Sequence, residues 1–203
     1  FKEAMILAET KTNVTTTPAW HQLQIRCPVP ELIELGANVA VTTDGTAPAM
    51  PFDLFRSARD TALLQQAALN DPFILPAGKI LSMITIDAAR AIGREHDLGA
   101  LEVGKLADIT TVKVASPHLS PQLMPIHQLM LFGNPGDVSD VFVAGRLLMR
   151  NRTVLTVSEA DVLESAERAS LEAIERAGAK HLLKPSDNFW TGAQSRLDTL
   201  REP

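Results

Sequence analysis

The sequence predicts an α/β fold: two strand–helix units, then a small antiparallel region, then a C-terminal helix. Two short β-branched runs, residues 13–17 and 38–43, end at turns and are joined by a helical stretch, the pattern of parallel βα units. From residue 96 onward, short apolar runs separated by glycine turns replace the helices. A capped amphipathic run then starts at Ser158. The chain has 203 residues, 45% hydrophobic and 21% charged, which are ordinary globular values. A single core of that size buries roughly 70% of the unfolded surface.

The elements follow in order. Residues 1–9 read as a helix end carrying Met5, Ile6 and Leu7. The run NVTTT at 13–17 stops at Pro18, as a buried parallel strand does. Pro28 and Pro30 open a helix over 29–35 that closes at Gly36. NVAVTT at 38–43 is a second strand ending at Asp44-Gly45. Residues 52–70 form a long amphipathic helix with Leu54, Phe55, Ala58, Ala62, Leu63 and Leu64 near helical spacing. Pro72 and Pro76 break it, and one further helix spans 77–93, with Ile80, Ile84, Ala88, Ala91 and Ile92 on one face. Short strands are expected at 98–99, 101–104 and 107–114, and a tight hairpin at 138–143 and 146–150 around Ala144-Gly145. The last helix runs from Ser158, paired with Asp161 as in a capping box, to about Gly178. Its apolar side is Val162, Leu163, Ala166, Ala169, Ala173, Ile174 and Ala177, and a loosely ordered polar tail follows from 184.

Charge and composition exclude several classes. Nineteen basic and 24 acidic residues leave a net charge of −5, and no block of like charge offers a nucleic-acid or polybasic membrane surface. No apolar run reaches the roughly 20 residues that cross a bilayer, and no N-terminal signal peptide is recognisable. The single cysteine, Cys27, has no intrachain partner, so a reducing, cytoplasmic setting is expected. Cys27 itself lacks an adjacent histidine to act as base and reads as a packing residue. Position 1 is Phe and the first helix-like stretch begins at once, so a piece of a longer chain is expected.

Asp44 is the residue most able to carry chemistry. A carboxylate at the C-terminal end of a parallel strand stands on the rim where α/β barrels build active sites, and it can bind a divalent cation or take a proton from water. The spacing alone leaves a second reading open, in which Asp44-Gly45 is only a turn. His21 and Trp20 follow the first strand and are candidates to line a pocket at the same rim. The other histidines, His96, His118, His127 and His181, form no His-x-His pair and no i,i+4 helical pair, so a metal site wholly within this chain is not supported. Gly99, Gly104 and Gly145 make no phosphate loop and read as turn glycines.

Two stretches carry a family resemblance. GANVAVTTDG at 36–45, followed by FDLFRSAR at 52–59, resembles the last barrel strand and following helix of the metal-dependent amidohydrolase superfamily. ITIDAARAIG at 84–93 and LGALEVGKLADI at 98–109, a G-x-L-E-x-G-K-x-A-D pattern, resemble the passage from that barrel to a small β-sandwich. VSDVFVAGRLLMR at 138–150 is similar to the sandwich hairpin that follows. The likeness runs from about Asn13 to Gly178 and is strongest to the branch of cytosine, guanine and adenosylhomocysteine deaminases and triazine hydrolases.

The resemblance implies a fold made of the last two βα units of a TIM-like (β/α)8 barrel, part of a β-sandwich and a C-terminal helix, an incomplete fold. The implied division is 1–95 for the barrel portion, 96–155 for sandwich strands, 156–183 for the helix and 184–203 for the tail. It implies a hydrolase acting on non-peptide carbon–nitrogen bonds, deaminating an amino-heterocycle or similar small molecule, with a chlorohydrolase or amidase as the variant within the superfamily. Asp44 matches the family aspartate that ligates one divalent metal, zinc or alternatively iron, and takes the proton of the metal-bound water. The family's remaining ligands come from earlier strands, a His-x-His, two further histidines and a glutamate, so this chain alone is expected to be inactive. Where relatives carry His-x-Pro or His-x-x-Ser-Asn after the seventh strand, this chain reads TTTPAWH at 15–21, which leaves the substrate open. The complete enzyme is expected to be a homo-oligomer with a small-molecule substrate. The alternative from another class is a non-catalytic interaction module.

Overall fold

The computed structural model describes residues 2–18, 25–45, 52–185 and 189–190. Residues 1–156 form one compact unit and 157–203 a second. The first unit opens with α1 (Lys2–Glu9), whose Ala4 is buried. Strand β1 (Val14–Thr16) pairs in parallel with β2 (Val39–Val41), Val14 opposite Val39 and Thr16 opposite Val41. Between them lies α2 (Val29–Glu34), with Pro30 in its first turn and Gly36 at φ +88 just beyond its end. This is the predicted strand–helix–strand unit.

Helix α3 (Leu54–Leu69) starts at Asp53, whose carboxylate accepts the Arg56 amide at 2.9 Å, and ends at Asn70 in the left-handed region. Of the predicted face, Ala58 and Ala62 are buried and Phe55 packs against the core, and the buried arc also takes in Ser57, Thr61 and Gln65. Leu63 is 48% exposed and Leu54 is exposed as well. The small alanines pack in one cluster with Val39 and Val41 of β2, and the buried Thr61 and Gln65 side chains are hydrogen-bonded. The Thr61 hydroxyl donates to Ser57 O at 2.8 Å. Gln65 Nε2 donates to Cys27 O at 2.9 Å, while its Oε1 accepts from Arg26 at 2.7 Å.

The single helix expected over 77–93 is two, α4 (Ala77–Met83) and α5 (Ile86–Ala91). At the break, the Ile84 and Thr85 amides bond three residues back instead of four, and the Thr85 hydroxyl donates to Leu81 O at 2.7 Å. A side chain competing for backbone carbonyls ends α4, and the chain restarts from Thr85. The expected strands at 98–99 and 101–104 are absent, and β3 (Ile109–Val112) is shorter than 107–114. Leu101 and Val103 are exposed, so this passage has no apolar face to bury in a sheet.

Instead the passage is held by single contacts. Gly99, at φ +84, leaves no room for a Cβ: one built there lies 2.8 Å from Ala89 Cβ and from Ile86 Cα. Lys105 Nζ donates to Glu95 O at 2.8 Å. Asp108 Oδ1 accepts the Ala144 amide at 2.6 Å, tying the passage to the hairpin turn.

Helix α6 (Pro125–Phe132) buries Met130 in the main cluster, and Arg59 from α3 donates to its terminal Leu131 O at 2.9 Å, a cation at a helix C-terminus. The predicted hairpin forms as β4 (Val138–Val143) and β5 (Arg146–Arg150), with Ala144 and Gly145 both at positive φ as a two-residue turn of type I′ requires. With β6 (Thr153–Val154) they form an antiparallel sheet of order β3-β4-β5-β6. The core gathers Val29, Leu32, Val39, Val41, Ala58, Ala62, Ile80, Met83 and Met130, so it centres on the parallel pair and its helices.

The second unit contains α7 (Glu159–Arg176), in which the Ser158 side chain accepts the Asp161 amide and Gly178 at φ +63 follows the end. No residue of α7 is buried, so the predicted apolar side does not pack into a core. The predicted tail falls mostly outside the described residues. No helix among the described residues is long and apolar enough to cross a membrane.

Candidate functional site

The C-terminal ends of β1 and β2 lie side by side, and the ladder extends one step further as the Thr42 amide donates to Thr16 O at 2.9 Å. The chain then bends sharply. Asp44 adopts φ +60, a left-handed conformation that aspartate tolerates better than most residues. Its amide donates to the Thr42 hydroxyl at 3.3 Å, and its Oδ1 accepts the Gly45 amide at 2.6 Å. Asp44 is therefore a turn residue whose exposed carboxylate stands just beyond the C-terminal end of β2. The side chain is oriented by backbone around it, as a preorganised ligand or base must be.

Behind this rim, on the helix side of the sheet, Arg26 pairs with Glu31 and bonds the fully buried Gln65. The pairing raises the Arg26 guanidinium and holds the Glu31 carboxyl below its usual range, through their mutual bond above all. Burial pushes the Cys27 thiol up, against a hydrogen bond with Thr16 and the Arg26 charge. A thiol held protonated in this way is a packing group, as expected.

The remaining candidates scatter. Trp20 and His21 lie outside the described residues. His96 is exposed near Asp97, and His127 and His181 are exposed. His118 Nε2 lies 2.9 Å from Asp137 Oδ2, which also accepts the Asn134 amide. Burial raises the Asp137 carboxyl, but these bonds and the nearby Arg152 outweigh it and leave it below its ordinary value. This cluster joins the Pro117–Leu119 turn to the Pro135–Asp137 turn ahead of β4 and serves the fold.

Among the described residues no group of three or more His, Cys, Asp or Glu side chains could hold a metal ion. A zinc centre takes about four donors. Asp44 suits one of those places, as a hard oxygen ligand on the rim, and the described residues do not complete the set. The Thr42 hydroxyl that steadies Asp44 was missed in the sequence. Its signal is the Thr-Thr-Asp-Gly run, since a hydroxyl two residues before a bend is placed to bond the backbone.

Residues 23–148 match the model of the Amidohydrolase family. The chain is 41% identical over 148 residues to a 5-methylthioadenosine/S-adenosylhomocysteine deaminase of Desulforudis audaxviator, covering 73% of this chain and 34% of that protein. It is 36% identical over 176 residues to a 5'-deoxyadenosine deaminase of Methanosarcina acetivorans, covering 86% and 40%. Among solved structures, it is similar to a zinc-bound adenosine deaminase of Xanthomonas campestris, with TM-score 0.77, 27% identity and coverage of 83% and 39%. An atrazine chlorohydrolase of Arthrobacter aurescens complexed with zinc matches with TM-score 0.74, 25% identity and coverage of 82% and 38%. The chain spans about two fifths or less of the length of these relatives.

Proposed function

Because the chain belongs to the amidohydrolase family, we propose that it is the C-terminal portion of a hydrolase that deaminates an adenosine-type heterocycle. In this reading residues 1–95 supply the last two βα units of a (β/α)8 barrel, 96–155 sandwich strands, 156–183 a C-terminal helix and 184–203 a tail. A two-stranded parallel sheet presents unpaired backbone groups along its edges, which favours completion by further strands.

The observation that carries the reading is Asp44, held exposed at the C-terminal end of β2, the end at which barrel active sites form. Its carboxylate would hold one divalent ion, for which zinc is favoured by the zinc-bound structural neighbours. When bound, such an ion lowers the pKa of water toward neutrality. Asp44 accepts the proton that the attacking water loses, while the Thr42 hydroxyl and Gly45 amide keep the carboxylate in place. The exocyclic amino group leaves as ammonia and oxygen takes its position on the ring.

The test is to express the complete reading frame and measure zinc content and deamination of 5′-methylthioadenosine, S-adenosylhomocysteine and 5′-deoxyadenosine. Asp44→Ala is expected to abolish turnover and lower bound zinc. Retention of both would defeat the assignment. The chlorohydrolase reading is favoured by the fold match to the atrazine enzyme. The higher identity to deaminases makes it the second choice.

A further inference from the structure

Thr17 stands one residue beyond β1, and its hydroxyl is buried with no hydrogen-bond partner among the described residues. Buried polar groups are almost always paired, and an orphan at a strand end on a functional rim asks for a ligand. Thr17 precedes Pro18, and a residue before proline is confined to extended conformations, so the side-chain alternation of β1 continues through it. Val14 packs against the helix-side core and Thr16 bonds Cys27 on that same side. Thr17 therefore points to the opposite face.

The parallel register sets Thr17 beside Thr42, since Thr16 pairs with Val41. Thr42 is the residue whose hydroxyl receives the Asp44 amide. Adjacent strands lie about 4.8 Å apart. The unpartnered hydroxyl thus shares the sheet face, the strand end and the immediate neighbourhood of the turn that carries Asp44.

Resting on the deaminase reading above, we propose that Thr17 is a specificity-determining residue whose hydroxyl hydrogen-bonds the polar edge of the substrate heterocycle beside the reacting carbon. One strand spacing from Thr42, whose hydroxyl receives the Asp44 amide, it meets the base rather than the far, 5′ end of a nucleoside. A hydroxyl can donate to a ring nitrogen or accept from a ring N–H, which suits such an edge.

The experiment uses the complete enzyme with Thr17→Val, which keeps the shape and removes the hydroxyl, and Thr17→Ser, which keeps the hydroxyl. The probes are 5′-methylthioadenosine and 5′-deoxyadenosine, which share the base and differ at the 5′ position. Thr17→Val is expected to lose about tenfold or more in kcat/KM, equally on both probes, with zinc content and unliganded Tm unchanged. Thr17→Ser is expected to stay within about threefold of the parent. Parental kcat/KM in Thr17→Val, or a loss confined to one probe, would overturn the inference. So would a lowered Tm, because it would assign the hydroxyl to the fold. Where the parent deaminates and Asp44→Ala does not, such a result defeats the Thr17 role alone. A parent without deaminase activity defeats both readings.

Discussion

The Lys79 ammonium lies 2.7 Å from Asp87 Oδ2, so a buried carboxylate bridges the break between α4 and α5. Ser82 donates to the same oxygen at 2.8 Å, and Arg90 reaches Oδ1 at 2.7 Å. Asn38, just before β2, donates to the Asp87 carbonyl at 2.9 Å. The N-terminal end of the parallel pair is thereby tied to the helix that follows the break, at the opposite end of the strands from Asp44.

This network makes stability depend on acid in a stated direction. Burial raises the Asp87 carboxyl, but the bonds from Lys79 and Ser82 and the charges of Lys79 and Arg90 outweigh it and leave it below its ordinary value. A depressed carboxyl contributes fully above the unfolded value of about 3.9, and the contribution is lost as pH falls through the lower folded value. Asp87→Asn is expected to cost about 1–3 kcal/mol at neutral pH. The difference from the parent should shrink below pH of about 4, as urea unfolding across pH 2–7 would reveal.

Gly99 is required by both its φ of +84 and the closeness of Ile86 and Ala89. Gly99→Ala adds a methyl group where backbone stands 2.8 Å away. A loss of roughly 1–3 kcal/mol or more is expected in chemical denaturation. Gly104→Ala, also at positive φ but with open space around it, should cost less.

Gln65 joins α3 to the segment leading into α2 through Cys27 O and Arg26. Gln65→Ala strands a carbonyl and opens a cavity. A loss of about 2–4 kcal/mol in unfolding free energy is expected. Leu63→Ala on the exposed flank of the same helix should change stability by less than about 1 kcal/mol.

Chelation tests the part assigned to Asp44. Removing metal from the complete enzyme is expected to abolish deamination, and added zinc to restore it in the parent. Thr42→Val removes the hydroxyl that receives the Asp44 amide. A fall of about tenfold in kcat is expected, smaller than that of Asp44→Ala, with the metal retained on elemental analysis.

The parallel pair, α2, α3 and the hairpin were legible in the sequence because local chemistry marks each. Pro30 and Gly36 bracket α2, Asp53 and Asn70 bracket α3, and Ala144-Gly145 closes the hairpin turn. Asp44 was legible as a turn carboxylate because the β-branched run that ends in Asp44-Gly45 marks a strand giving way to a bend, and β2 ends three residues before it. The break at Thr85 was not, since the periodicity of 77–93 continues across it while a hydroxyl redirects the backbone. Nor was the Ser57–Thr61–Gln65 face of α3, because hydropathy marks such residues for solvent, whereas Thr61 is satisfied by Ser57 within the helix and Gln65 by the distant Cys27 and Arg26.

By itself the chain sequence determined the parallel strand–helix–strand unit, the capped helices α2, α3 and α7 and the hairpin turn, because caps, turns and alternation act over a few residues. The tertiary structure decided which polar groups are buried and satisfied, and it left the Thr17 hydroxyl, opposite Thr42, buried with no partner among the described residues. Those outcomes depend on contacts between residues far apart in sequence, and no local pattern encodes the partner across the gap.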